Sequence, residues 1–319
     1  MVLNFSCGNG IAVKFGKHVI LLDPQVSDMI SFVSHAHADH SPYCFVTKPY
    51  CTAETYDLIK LRDPTFEANV VKENEKIKFD DFTVKLIPAG HVLGSVQTLI
   101  EADGKKILYT GDFKTSSSLT CKPIKIEQAD VLITESTYGL PNYIFEPIEN
   151  VRQKIVKWVK QQLADNFSVD LGGYHIGKAQ EAIKLLNENG MQPKISETIR
   201  QYSEVYKKFG VKLDFAKPKE ESNIFVKPMH LLNFNKGKNF KVAALTGWSL
   251  IDRFPFGFPL SDHSDFKQIM DFVEQVNPKK VYCIHGYTHE LAKEIKKRFG
   301  IPAKSLEAPV SQQRLLVDF

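Results

Sequence analysis

Residues 35–40 read His35-Ala36-His37-Ala38-Asp39-His40, which puts four metal-binding side chains within six positions. An α-helix would set His35 and His37 about 200° apart, so a helix cannot aim both at one ion. A loop at the end of a strand can, and the apolar stretch Ile30–Ser34 just before it reads as a strand. The alanines leave room for an ion between the ligands. A lone histidine is usually a core or surface residue, but a convergent His/Asp set implies a metal. The chain must therefore fold so that several strand ends meet at one place.

One loop holds too few donors for two ions, and three other segments offer more. They are His91 in Gly90-His91-Val92-Leu93-Gly94, Asp112 in Thr110-Gly111-Asp112-Phe113, and His285 in Ile284-His285-Gly286. Each follows an expected strand, and glycines beside them permit close backbone approach.

The order of elements gives the domain plan. Strands are expected at Ile11–Phe15 and His18–Leu22 around the turn pair Gly16-Lys17, then at Phe82–Ile87, Val96–Ile100, Lys106–Thr110 and Val131–Thr134. A helix is expected near Thr52–Leu61. Beyond Gly139 the character changes. Pro147 suits a first helical turn, and Ile148, Val151, Ile155, Val159 and Leu163 recur at helical spacing. A strand at Phe167–Leu171, helices near Ile176–Asn189 and Glu197–Phe209, and a strand at Val242–Thr246 complete this middle block. Ser264 is expected to cap a helix over Asp265–Val276. A strand at Lys280–Ile284 and a helix at His289–Phe299, stopped by Gly300 and Pro302, close the chain. The plan is a β-rich first core part over 1–140, a small α/β insert over 141–255, and a closing core part over 256–319.

Composition narrows the class. With 43% hydrophobic and 24% charged residues, the chain has ordinary globular composition, which argues against disorder and collagen-like repeats. No apolar run approaches the ~18 residues of a membrane span, so no membrane partner is expected. The start, Met1-Val2-Leu3-Asn4-Phe5-Ser6, lacks a basic stretch followed by an apolar one, and a cytoplasmic location is expected. Five cysteines without a C-x-x-C pair argue against a disulfide framework, and most are expected to be small buried side chains. The formal charge is only +4, yet residues 141–255 carry 18 basic and 12 acidic side chains. The positive excess lies in the insert, as in a basic cover over an anionic polymer.

The metal-ligand pattern resembles the metallo-β-lactamase fold superfamily, which implies an αββα sandwich. The resemblance assigns His35, His37 and His91 to one metal, and Asp39, His40 and His285 to a second, with Asp112 bridging. It implies two zinc ions, with manganese or iron as alternatives, and His37 fits the zinc hydrolases rather than the di-iron branch. Asp23, in Leu21-Leu22-Asp23-Pro24, matches the family's early aspartate and is expected to orient the ligand loop.

Two further segments, Ile133-Thr134-Glu135-Ser136-Thr137-Tyr138-Gly139 and Leu260-Ser261-Asp262-His263-Ser264-Asp265, flank the insert. With His285 they are similar to the three accessory motifs of the β-CASP nucleases, whose α/β cap is inserted between them. The likeness is strongest to short exonucleases and mRNA 3′-end processing factors, and to DNA-ligase-associated exonucleases. It implies that Asp39 takes the nucleophile's proton, that His263 protonates the leaving oxygen, and that Glu135 hydrogen-bonds His263. The helix N-terminus after His263 disfavours its cation by ~0.3–1 kcal/mol. A carboxylate partner shifts it the other way by about 1–3 pKa units, so the acid role is expected to hold near neutrality.

Charge counting agrees with a phosphodiester. Two dications give +4, while Asp39, Asp112 and one hydroxide give −3, leaving about +1 to attract an anion. In the insert, Gly172 to Lys178 fits G-x-x-x-x-G-K, but Ala179 removes the hydroxyl that a nucleotide-binding P-loop needs. Lys178 is expected instead to touch a phosphate of the strand. The expected substrate is single-stranded RNA, cut as an exonuclease in RNA processing or decay. Single-stranded DNA in repair, or a non-nuclease hydrolase of the same fold, are the alternatives.

Overall fold

The structure, a computed structural model, describes residues 4–306 apart from residues 218, 236, 238, 252 and 253, and describes residues 4–8 by backbone alone. It divides into two compact units. The first holds the chain up to Thr115, then Lys122–Ile144, and resumes at His263.

Among the described residues this first unit holds two large sheets and a two-stranded pair, Val26–Ser27 with Cys44–Phe45. One has six strands in the order Asn4–Gly8, Gly10–Phe15, His18–Leu22, Ser31–Phe32, Tyr50–Cys51, Asn69–Val70. The other has seven, in the order Ala303–Ser305, Lys280–Gly286, Val131–Ser136, Lys105–Tyr109, Val96–Ala102, Phe82–Pro88, Lys76–Lys78. Alternation along the strands explains the layering. Val131, Ile133, Tyr282 and Ile284 pack toward Phe15, Ile20, Leu22 and Phe32 of the first sheet. Leu132, Val281 and Cys283 point the other way, onto helices. Both faces of the second sheet are covered, so its central strands read as nearly unbroken apolar runs.

Six α-helices are present among the described residues: α1 (Ala53–Arg62), α2 (Ile148–Ala164), α3 (Lys178–Glu188), α4 (Glu197–Lys208), α5 (Phe266–Val276) and α6 (Thr288–Phe299). Helices α5 and α6 lay Ile269, Phe272, Val273, Leu291 and Ile295 on the second sheet. Thr52 caps α1 through Thr55 N–H. The cap of α5 is Asp265, not Ser264 as the sequence reading had it. Asp265 and Gln268 bond each other's backbone N–H reciprocally, while the Ser264 hydroxyl is used by Thr115 N–H.

The second unit comprises Ser116–Cys121 and Phe145–Asp262. Its five strands are all parallel, in the order Lys194–Ile195, Ile224–Pro228, Ser168–Gly173, Phe240–Leu245, Gly257–Phe258. The insert was read as 141–255, but the strand Gly257–Phe258 pairs with Phe240–Leu245 and extends it. The segment 116–121 joins it because buried Arg152 binds Ser117 and pairs with Glu181, which accepts from Ser118 and Leu119 N–H.

Of the described cysteine side chains, Cys51 and Cys283 are buried, Cys121 is half-buried and Cys44 is exposed, so half of the four rather than most are buried. Cys7 falls where side chains are not described. No described helix is long and apolar enough to cross a membrane.

Candidate metal centre

All the ligand positions named from the sequence lie in the first unit. All but His285, which is a bulged residue near the end of the strand Lys280–Gly286, sit on loops after strands. The His35–His40 loop follows Ser31–Phe32 and ends in a short 3-10 turn at Ala38–His40. Ser41 Oγ donates to His37 O, and Arg62 on α1 donates to Ala36 O at 3.0 Å and to Ser41 Oγ at 2.5 Å. The loop carrying His91 is closed by Ser95 Oγ, which accepts from His91 N and Val92 N. Gly111 lets Asp112 approach. Its φ is +54°, and a Cβ there would lie 2.6 Å from Ser34 Cβ.

Four donors converge as a first set, namely His35, His37, His91 and Asp112. His37 Nδ1 lies 3.0 Å from His35 Nε2 and 3.1 Å from His91 Nε2. Three facing ring nitrogens cannot be satisfied by one shared proton, whereas a cation satisfies all three lone pairs. Tetrahedral zinc with bonds of about 2.0–2.1 Å sets its donors roughly 3.4 Å apart. The observed spacing and donor types therefore fit such an ion.

Asp112 also reaches toward residues expected from the sequence to hold a second ion. Asp112 Oδ2 is 3.6 Å from His35 Nε2, 3.8 Å from His91 Nε2 and 3.4 Å from His40 Nε2. His40 Nε2 is also 3.8 Å from Asp39 Oδ2, and the His40 and His285 rings are 5.1 Å apart. A carboxylate between two imidazole groups has the geometry of a bridging ligand.

Asp23 fixes which nitrogens face the centre. Its carboxylate accepts from Ser34 N at 2.6 Å, Ser34 Oγ at 2.5 Å, His40 Nδ1 at 2.7 Å and Tyr109 Oη at 2.7 Å. Ser34 spends its only hydroxyl hydrogen on Asp23, so it accepts from His35 Nδ1, 2.9 Å away. His35 and His40 thus both carry a hydrogen on Nδ1 and turn Nε2 toward Asp112. Ser34 and Tyr109 were not found from sequence. Neither carries a local signal, because Tyr109 meets Asp23 across 86 residues.

Charge at the site follows from burial and neighbours. Burial, then His40, His91 and His37, hold His35 well below the ordinary histidine range, which leaves it neutral. At His40 burial opposes the cation, but Asp112, Asp23 and Asp39 outweigh it and raise its pKa well above the ordinary value. Burial, helped by Glu135 and opposed by His40, raises Asp112.

Glu135 continues the inward face of Val131 and Ile133 and is fully buried. Both its oxygens meet His263 Nδ1, at 3.0 and 2.9 Å. Phe113 N–H and Thr137 Oγ1 also donate to it. Burial opposes its charge, but His263 and these donors prevail and hold its pKa below the usual carboxylate range. The His263 ring stands 4.7 Å from that of His91, beside the first donor set.

His285 is held by a β-bulge. Glu135 pairs with Ile284 and Ser136 with Gly286, so His285 is the extra residue. Its φ is +53°, a conformation rare for a histidine. Ser136 Oγ donates to His285 O at 2.6 Å and lies 2.8 Å from Ile284 O. Gly286 is needed because a Cβ would meet Ser136 O at 2.5 Å.

Lys178 is the remaining residue named from the sequence. It lies in the second unit at the start of α3, 4% exposed, with Nζ 3.2 Å from Asp262 Oδ2 and 4.4 Å above the Tyr174 ring. The sequence reading expected it to meet a phosphate. The structure shows it paired with Asp262.

Comparison with known proteins agrees with this geometry. A family model described as the Zn-dependent metallo-hydrolase RNA specificity domain matches residues 258–306, the stretch that holds His263 and His285. An "RNase J-like protein" of Methanocaldococcus jannaschii is 33% identical over 221 residues, covering 58% of this chain and 52% of that one. The chain belongs to the metallo-β-lactamase/β-CASP nuclease family. A "Probable DNA ligase" of Opitutus terrae is 32% identical over 318 residues, covering 90% of this β-CASP chain. The chain spans 30% of that relative and about half of the archaeal one. A crystal structure of an Enterococcus faecalis protein of unknown function matches this β-CASP fold over 96% of the chain and 97% of its own, with a TM-score of 0.68 at 14% identity.

Proposed function

We propose that this protein is a two-zinc phosphodiesterase that hydrolyses single-stranded nucleic acid, RNA in preference to DNA, as an exonuclease in RNA processing or decay. The observation that carries this reading is the pairing of two donor sets through Asp112 with a histidine, His263, bonded to a buried carboxylate.

His35, His37, His91 and Asp112 would hold one ion, and Asp39, His40, His285 and Asp112 the other. When bound, the ions supply Lewis acidity toward the phosphate oxygens and lower the pKa of a water. The chain supplies the proton transfers. Asp39, whose side chain is 79% exposed, is open to accept the nucleophile's proton. His263 gives Nδ1 to Glu135 and would protonate the departing oxygen through Nε2. Buried Glu135 holds the ring and favours the cation that must form.

RNA is favoured by the match to an RNA specificity domain and by the RNase J-like archaeal relative. The relative named as a probable DNA ligase, which aligns with 90% of this chain, supports the DNA reading instead. The test is incubation of zinc-loaded protein with RNA and DNA strands of one sequence, each labelled at the 5′ or the 3′ end, with Asp39→Ala as the control. RNA degradation abolished by Asp39→Ala is expected, and the ladders give the polarity. DNA-only degradation moves the protein to the second reading, and cleavage of neither refutes both.

A further inference from the structure

The two most exposed large apolar side chains among the described residues are Val46, at 80%, and Tyr43, at 74%. Both lie within six residues of His40. They stand on a fixed frame. Tyr43 N–H donates to Gln25 O, and Val46 N–H and Thr47 N–H both donate to Ser27 O at 2.8 Å. Cys44–Phe45 pairs in parallel with Val26–Ser27. Phe45 packs edge-on against the fully buried Phe66, with centroids 5.5 Å apart. Anchoring Phe45 inward leaves Tyr43 and Val46 outside.

A cation stands at the same loop. Arg62 is exposed, and its bonds to Ala36 O and Ser41 Oγ use two of its five N–H donors. Ser41 is two residues from Tyr43. The stretch 41–46 thus offers an exposed ring and an exposed apolar side chain on a hydrogen-bonded backbone, with the Arg62 guanidinium bonded to Ser41. Single strands are bound by that combination, through base stacking on aromatic rings and phosphate contacts to arginine.

We propose that Tyr43, flanked by Val46 and Arg62, is a nucleobase-stacking platform for single-stranded nucleic acid beside the metal centre. This rests on the nuclease reading above. Stacking needs only the flat face of a base, so the platform recognises that a base is present and not which base it is.

The test is equilibrium binding of a fluorescein-labelled strand of about twelve nucleotides, RNA and DNA, to the full chain carrying His263→Ala to prevent turnover. Tyr43→Ala is expected to weaken binding by about 5- to 100-fold, and Tyr43→Phe by less than about twofold. A strand with abasic sites is expected to bind the Tyr43 protein as weakly as the intact strand binds Tyr43→Ala. Equal melting temperatures and metal contents establish that the variants are folded. Undiminished binding by Tyr43→Ala overturns the platform while leaving the nuclease reading intact. Equal losses for Ala and Phe overturn it too, because the hydroxyl rather than the ring would then matter. A dimer that Tyr43→Ala dissociates, with strand binding unchanged, reassigns the patch to a protein partner. Failure of the Tyr43 protein to bind either strand refutes the nuclease reading itself.

Discussion

Tyr109 Oη donates a 2.7 Å hydrogen bond to Asp23 Oδ2, tying the seven-stranded sheet to the loop that leaves the six-stranded one. The same carboxylate orients Ser34, His35 and His40. Removing it should therefore disturb metal binding more than fold. Asp23→Asn is expected to lower metal affinity by about 10- to 100-fold, the usual cost of losing a partner of the ligands. Tyr109→Phe removes only one bond to a charged acceptor and should cost about 1.5–3 kcal/mol of stability. Metal titration and denaturant unfolding measure the two effects separately. An Asp23→Asn protein with native metal affinity would refute the role given to Asp23.

His263 contacts Glu135 through Nδ1, and with Asp112 the two form a further cluster of potential donors. His263→Ala is expected to keep both metals and lose turnover by about 10²- to 10⁴-fold, the usual contribution of a general acid. Metal analysis and single-turnover hydrolysis read the two outcomes. Loss of metal in this variant would make His263 a ligand instead.

Ser136 is expected to act only through His285. Its hydroxyl holds the bulged residue in the left-handed region. Ser136→Ala should weaken the second metal by about tenfold or more and leave the first unchanged, while Ser136→Thr, which keeps the hydroxyl, should restore it. Equal weakening of both metals would show a general loss of structure rather than a local effect.

Metal binding should release protons. In the metal-free protein the neighbouring carboxylates raise the pKa of His40 well above the ordinary value, so it is protonated near neutrality. A ligand must be neutral, and the ion competes with that proton. Affinity is therefore expected to fall as pH is lowered below the raised pKa of His40 and to rise until pH exceeds it. Calorimetry in two buffers of different ionisation enthalpy measures the protons released. Zero release at pH 7 would contradict the charge assigned to His40.

Much of this centre is legible in the sequence because its donors come in short runs. His35 to His40 is one run, and His91, Asp112 and His285 each sit beside a glycine or at a strand end. The structure brings all of them into the first unit. What is not legible is long-range. Tyr109, Ser34 and Ser136 are ordinary residues until the fold sets them against Asp23 and His285. Lys178 sits at a glycine turn before a helix, which suits phosphate binding; its ion pair with Asp262, 84 residues on, has no local signal. Asp265 took the cap from Ser264 because Gln268 could answer it in a reciprocal pair, while Ser264 turned to Thr115. The insert boundary slipped because the strand Gly257–Phe258 is only two residues long.

The central claim is a centre in which Asp112 serves two ions at once. Its most direct test is to strip the protein of metal, then add zinc in steps while counting bound ions and following hydrolysis of an end-labelled single-stranded RNA. The account predicts two ions per chain, with hydrolysis appearing as the second binds, and neither ion held tightly in Asp112→Ala. Full activity with one ion, or with none, would contradict it.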